Sequence, residues 1–427
     1  MSKFQIGLLV VFGVFILLAV ILFSTNRGSS VDGAKLSVWG TLSEYDFNNM
    51  ITNSGLGRSD TLSFSYTEKP EGKLSADFTE ALAEGNGPDL IILPLENLLK
   101  DKNKLMLIPN ASVKPSDFVS TFIKEGELFE TAEGTYALPM YIDPMVLYWN
   151  RDLFAKASLA TPPVYWDQIY DYISKLTVRD NAGNITQSAI ALGEAKNIPH
   201  AKEVLSLLML QAGTPIVIDS GIGLRAGLID SFGQSVIPAQ AALDFYTQFA
   251  NPQKSFYGWN RSLVTADTHF ASGKSAMYLG FASERPVLKA KNPTADIAVA
   301  PVPQSRVSSK VITFGRIYGV AIARSARDGA AALSGVLALA SKESAAALSG
   351  ATPLVPARRD LLSQKPVDPF GSVFYGAALQ ARGWLDPDSD KSQKIFTDMI
   401  ESVTSGRQRV EEAVRTAQSA LDALLSK

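Results

Sequence analysis

Gly134-Thr135-Tyr136-Ala137-Leu138-Pro139-Met140-Tyr141 leads, across Ile142 to Met145, into Val146-Leu147-Tyr148-Trp149-Asn150-Arg151-Asp152-Leu153-Phe154. Val146–Trp149 is a short run of branched and aromatic residues, the composition of a strand. Similar runs lie on both sides of it, at Leu36–Trp39, Leu90–Leu93, Ile297–Ala300 and Gly319–Ala323. The run at Leu90 is continuously apolar, which suits a strand covered on both faces. Helical patterns fill the intervals. Phe78, Ala81 and Leu82 share one helix face, and Gly85 can end that helix as a left-handed cap. In the last segment Val410, Ala413, Val414, Ala417, Ala420, Leu421, Leu424 and Leu425 form one apolar stripe at helical spacing. Ser405 with Gln408 offers a capping box before it, and a start at Arg409 fits equally. Strands alternating with helices indicate an α/β architecture with largely parallel sheets.

The chain has 427 residues with 40 basic and 42 acidic side chains, a formal net charge of −2, and 46% hydrophobic residues. That balance excludes a disordered chain. It also offers no cationic excess to displace counterions from nucleic acid. The chain has no cysteine, so disulfides, thiolate chemistry and cysteine-linked lipid are ruled out. Phe4–Phe23 is a nearly unbroken apolar run of about 30 Å as a helix, the thickness of a hydrocarbon core. It is longer than a signal-peptide core and ends in the bulky Val20-Ile21-Leu22-Phe23, which no small-residue cleavage site resembles. The expectation is an uncleaved signal anchor and tether over residues 1–30, holding a module of two or three domains' worth of chain outside the membrane.

Catalytic and metal templates fail on their spacing. His200 and His269 lie in no serine-elbow or His-Glu-x-x-His pattern, and structural roles are expected for both. Gly273-Lys274-Ser275 lacks the earlier glycine of a phosphate loop, because Thr268 occupies that position. Asp386, Asp388 and Asp390 are spaced like the opening of a calcium loop, but Lys391 and Thr397 stand where glycine and a bidentate glutamate are needed. No metal or cofactor is expected.

A set of longer patterns fits together instead. Gly85-Asn86-Gly87-Pro88-Asp89-Leu90-Ile91 ends a helix and starts a strand. The stretch Gly134–Phe154 follows, then Pro162-Pro163-Val164-Tyr165-Trp166-Asp167-Gln168-Ile169. Phe270-Ala271-Ser272-Gly273-Lys274-Ser275-Ala276-Met277 comes later, and Ser405-Gly406-Arg407-Gln408-Arg409-Val410-Glu411-Glu412-Ala413 comes last. In this order and spacing they resemble the extracellular solute-binding proteins of family 1, the sugar receptors of ABC importers, over about residues 35–425.

The resemblance implies a two-lobed periplasmic-binding-protein type II fold with a hinge and the ligand between the lobes. It implies crossings near Ile142–Val146, Arg261–Thr265 and Phe314–Tyr318. Lobe one is then 34–143 plus 264–315, and lobe two 146–260 plus 320–427. The implied ligand-binding residues are Trp39, Thr41 and Glu44 after the first strand, Glu96 after the Leu90 strand, and Tyr141 and Asp143 at the first crossing. Phe281, Glu284 and Arg285 follow the Met277 strand, and Phe314, Arg316 and Tyr318 lie at the third crossing. Trp259 and Trp384 are the candidates from lobe two. Sugars need flat apolar faces and planar polar groups, and this set holds both. For Trp39 and Phe314 the competing reading is core packing; for Asp143 and Arg316 it is an ion pair bracing the hinge. The implied function is capture of a small polar solute, a carbohydrate foremost, by a monomer working with ABC permease subunits. A sensor module, or a glycan hydrolase using carboxylates such as Glu44 and Asp143, are the alternatives.

Overall fold

The computed structural model describes residues 33–426 apart from Val307, Ser309 and Lys365. The expected anchor at Phe4–Phe23 lies outside the described residues. Among those described, no single helix is long and apolar enough to cross a membrane. The strands that position the site are β1 (Ala34–Gly40), β2 (Leu62–Glu68), β3 (Leu90–Pro94), β4 (Leu138–Asn150), β5 (Ile185–Ile190), β6 (Ser275–Phe281), β7 (Ile297–Ala300), β8 (Thr313–Ala323) and β9 (Val355–Pro356). Among the helices are α1 (Glu44–Asn53), α2 (Glu71–Ala83), α3 (Ala201–Ala212), α4 (Gly329–Leu339), α5 (Lys342–Ala351), α6 (Pro369–Gln380), α7 (Ser389–Thr404) and α8 (Val410–Leu425).

β4 and β8 organise everything else. The first half of β4 pairs antiparallel with β8, from Leu138 opposite Val320 to Pro144 opposite Gly315. Its second half leaves β8 and takes β6, with Met145 opposite Phe281 and Trp149 opposite Met277, and β7, with Leu147 opposite Ala300. Pro144 stands at the changeover, where a residue without an N–H leaves no ladder bond unmade. On the lobe-one side β3 joins β8, and β1 runs parallel to both β3 and β2. On the lobe-two side β6 runs parallel to β5. One strand is thus shared by two sheets.

Each sheet is covered on both faces. In β3, Leu90 and Ile92 face a cluster with Phe47 and Met50 of α1, Val336 of α4 and Leu348 of α5. Ile91 and Leu93 face the opposite cluster with Leu74 and Phe78 of α2. All four are fully buried, worth about 1.5–3 kcal/mol each in transfer free energy. Gly335 lets α4 lie directly on the sheet, since a Cβ there would meet Leu36 Cδ1 at 2.4 Å. The cluster on the α2 face runs on past Ile142 and Met145 into lobe two, where α3, α7 and α8 contribute Leu205, Leu207, Phe396, Met399, Val414 and Leu421.

The pairing corrects the expected division of the chain. The segment after Arg261 does not cross to lobe one: Ala266 donates its N–H to Asn197 O at 2.9 Å, and β6 follows beside β5 and the second half of β4. Lobe one instead takes the end of β8 with α4 and α5. The chain then crosses after β9, which pairs with Tyr141 and Ile142. A short apolar strand such as Met277–Phe281 fits either sheet by pattern. Its partner strand decides the lobe, and a partner is not written in local periodicity.

Candidate functional site

Because β1 and β2 are parallel, their carboxyl ends open on one side of lobe one, where loops of an open α/β sheet gather polar groups. Thr41–Ser43 follow β1, and Glu68 ends β2 with Lys69–Glu71 after it. With Tyr141, Asp143 and Tyr318 of the hinge strands, Ser283 and Pro286 of lobe two, and residues 351–354 after α5, they enclose a cleft of about 460 Å³. Ser43 caps α1 by accepting from Asp46 N at 3.0 Å, and its hydroxyl donates to Asp46 Oδ2 at 2.7 Å. Glu68 accepts the Glu44 N–H at 3.0 Å.

Tyr141 and Tyr318 are register partners on β4 and β8, and their rings stack at 4.6 Å and 17°. The Tyr318 hydroxyl donates to Glu71 Oε1 at 3.0 Å. Asp143, also on β4, reaches across to the loop after β6: Oδ1 accepts from Ser283 N at 3.0 Å and Oδ2 from Ser283 Oγ at 2.5 Å. Burial pushes its carboxyl up to about 6, against the Ser283 bonds and the Arg316 charge.

Below the floor lies a buried charge cluster. Arg316 is opposite Asp143 in the ladder, yet it does not pair with it. Its guanidinium meets Glu203 Oε1 of α3 at 2.5 Å, Glu96 at 3.7 Å and Glu71 at 4.0 Å, and lies 4.5 Å over the Phe281 ring. It therefore ties two lobe-one carboxylates to one of lobe two. Burial works to raise Glu203, but the charges of Arg316, His200 and Lys202 hold it at about 2. For Glu96 burial wins and its carboxyl moves up. His200 Nε2 lies 2.8 Å from Glu284 Oε1. Glu284 also accepts from the Tyr278 hydroxyl at 2.6 Å and Phe281 N at 2.7 Å. Burial pulls His200 down, and the Glu284 contact more than reverses it.

Of the residues expected at the ligand, Thr41, Tyr141, Asp143 and Tyr318 line the cleft. Glu44 is exposed on the first turn of α1, at the rim. Trp39 is half-buried under the Lys69 ammonium, 4.0 Å above its ring. Arg316, Glu96 and Glu284 sit behind the wall. Arg285 lies 3.8 Å over the Phe370 ring and 3.6 Å from Asp368, in an adjoining cavity of about 390 Å³. Four aromatic expectations are corrected. Phe281 and Phe314 are core residues packed edge to face at 6.4 Å. Trp259 is fully buried and donates to Asn197 Oδ1 at 3.0 Å. Trp384 is buried, bonded to Ser206 Oγ at 3.3 Å and stacked on Phe396. Neither tryptophan can present a face to the cleft. Sequence reading missed Asp46, Glu68, Lys69, Glu71 and Ser283. For Glu68, Lys69 and Glu71 the signal was the end of β2, whose alternating Leu62–Glu68 pattern marks a half-exposed strand; Asp46 and Ser283 had no such signal.

Residues 59–368, nearly three-quarters of the chain, match the family model described as bacterial extracellular solute-binding protein. A binding protein of Brucella abortus (strain 2308) is 28% identical over 101 residues, and the chain spans only about a quarter of that curated relative's length. Solved structures match nearly the whole chain. A cyclo/maltodextrin-binding protein complexed with maltotetraose superposes with a TM-score of 0.74 at 19% identity, over 93% of this chain and 98% of that one. An ABC transporter solute-binding protein from Thermotoga lettingae, bound to α-D-tagatose, gives 0.70 at 19% identity, over 92% and 100%. The cyclic α-maltosyl-1,6-maltose binding protein of Arthrobacter globiformis gives 0.74 at 15%, over 92% and 99%. At these identities the structures establish the two-lobed fold, and the family model establishes descent among binding proteins rather than enzymes. By that family match, the chain belongs to the bacterial extracellular solute-binding proteins.

Proposed function

We propose that this chain captures a small polar solute, a carbohydrate foremost, between its lobes and passes it to the permease subunits of an ABC importer. The observation that carries this reading is the cleft itself. It lies across the hinge strands β4 and β8, and its hydroxyl and carboxylate groups come from lobe one, lobe two and the hinge together. A solute touching both lobes binds the closed arrangement more tightly than the open one, which is what drives closure. The structural neighbours bound to maltotetraose and to tagatose support a sugar as cargo. The anchor in this reading is the apolar run Phe4–Phe23, with the two lobes on the extracytoplasmic side and the protein acting as a monomer. A thermal-shift screen of sugars, amino acids, polyamines and phosphate esters tests it. Stabilisation by sugars, abolished or weakened 10- to 100-fold by Asp143→Asn, is the expected result. Stabilisation confined to amino acids or phosphate esters refutes it.

A further inference from the structure

The charges around the cleft do not balance. Asp46, Glu68, Glu71 and Asp143 line it, against the single ammonium of Lys69. Lys69 is already engaged: its ammonium is 3.0 Å from Asp77 and lies on the Trp39 ring. The guanidinium nearest the floor, Arg316, is directed to Glu203, with Glu96 at 3.7 Å and Glu71 at 4.0 Å, so one cation is shared among three carboxylates. Asp46 and Glu68 face the N-terminus of α1, whose first turn also holds Glu44, so the positive end of that helix is answered from within lobe one. From lobe two the lining adds only Ser283 and Pro286, which are uncharged.

The aromatic groups add a second, independent constraint. Tyr141 and Tyr318 stack on each other and are 2% and 7% exposed, and the Trp39 face is taken by Lys69. A neutral sugar therefore finds no free ring to lie against at the floor, while a cation finds more carboxylates than the shared Arg316 and the engaged Lys69 can balance. An anionic sugar meets predominantly like charge.

We infer that the cleft selects an amine-bearing saccharide, with Glu68 and Glu71 as the residues that read its positive charge. This inference rests on the carbohydrate reading above and narrows it. A neutral hydroxyl exchanges its water for a carboxylate at little net gain. An ammonium among unbalanced carboxylates gains a charge-assisted hydrogen bond and the field of the whole site.

The test is calorimetric titration of the detergent-solubilised full chain with matched hexoses and 2-amino-hexoses of gluco, galacto and manno configuration. N-acetylglucosamine serves as the uncharged control and putrescine as the sugar-free cation. At least one amino sugar should bind tenfold or more tightly than its neutral counterpart and than the N-acetyl form. That ratio should shrink as salt is raised. It should fall several-fold in Glu68→Gln and in Glu71→Gln, two exposed-edge changes that keep an acceptor for the Glu44 N–H and the Tyr318 hydroxyl. Neutral sugars binding as tightly as their amines overturn the inference and leave the carbohydrate reading standing. Putrescine binding with no sugar binding removes the carbohydrate reading and keeps the charge selection. Binding of neither class overturns both.

Discussion

Replacing Arg316 by Met tests the buried cluster that joins the lobes. The Arg316 side chain is 20% exposed and that of Glu203 is 4% exposed, with 2.5 Å between the charged atoms. At that distance two unit charges attract by about 7 kcal/mol at an effective dielectric constant near 20. Desolvating the two ions cancels most of this, so the pair adds little over an apolar substitute. Losing one partner is different, because the other charge stays buried. Arg316→Met leaves Glu203 and Glu96 facing each other, and should lower the unfolding free energy by about 3–5 kcal/mol. Glu203→Gln leaves Arg316 with Glu96 at 3.7 Å and Glu71 at 4.0 Å, and should lower it by only about 1–3 kcal/mol. In the double variant the loss should fall short of the sum of the two singles. Urea unfolding of the ligand-free protein, followed by fluorescence, measures all three. Equal losses in the two singles, or strict additivity, refute the argument that Arg316 is the shared partner of several carboxylates.

Other consequences can be checked separately. Glu125 is buried with one oxygen unpartnered. Burial pushes its carboxyl up to about 8, with Arg382 and the Gly383 N–H opposing only partly. Its folded pKa exceeds the unfolded one near 4.3, so its contribution is complete below that pH and is lost as pH rises through about 8. Urea midpoints should fall across that window, and Glu125→Gln should flatten the slope. Trp259→Ala should cost about 3–5 kcal/mol of stability and leave solute affinity unchanged by calorimetry, as befits a core side chain. Saturating solute should reduce the radius of gyration in solution scattering and stabilise by about 2.7 kcal/mol at a hundredfold excess over Kd; tight binding without compaction argues against closure.

Much of the fold was legible because some segments have no alternative. Leu90–Leu93 is apolar at every position, and only a doubly covered strand buries all four. The α8 stripe was equally plain, and the helix starts at Val410 with Glu412 bonding back to Arg409 N. β2 was missed: Leu62-Ser63-Phe64-Ser65-Tyr66-Thr67-Glu68 alternates apolar and polar residues as a half-exposed edge strand does, but it lacks the continuous apolar run that marks the buried strands. Missing it hid the loop that supplies Glu68 and Glu71. Tyr141, Asp143 and Tyr318, which line the cleft, were singled out because the resemblance placed crossings near Ile142–Val146 and Phe314–Tyr318. Trp259 and Trp384 were misplaced because a tryptophan's composition does not say whether its indole N–H is answered inside the lobe. Here Asn197 and Ser206 answer it.

β8 lies between β3 and β4 in the lobe-one sheet, yet it is made from residues 313–323. A growing polypeptide therefore exposes the facing edges of β3 and β4 until about three-quarters of it has been synthesised. Neither lobe can be completed alone on the ribosome, and open strand edges invite aggregation. A delayed central strand keeps the chain loose for most of its synthesis, the state in which it can be threaded through a membrane channel and folded on the far side.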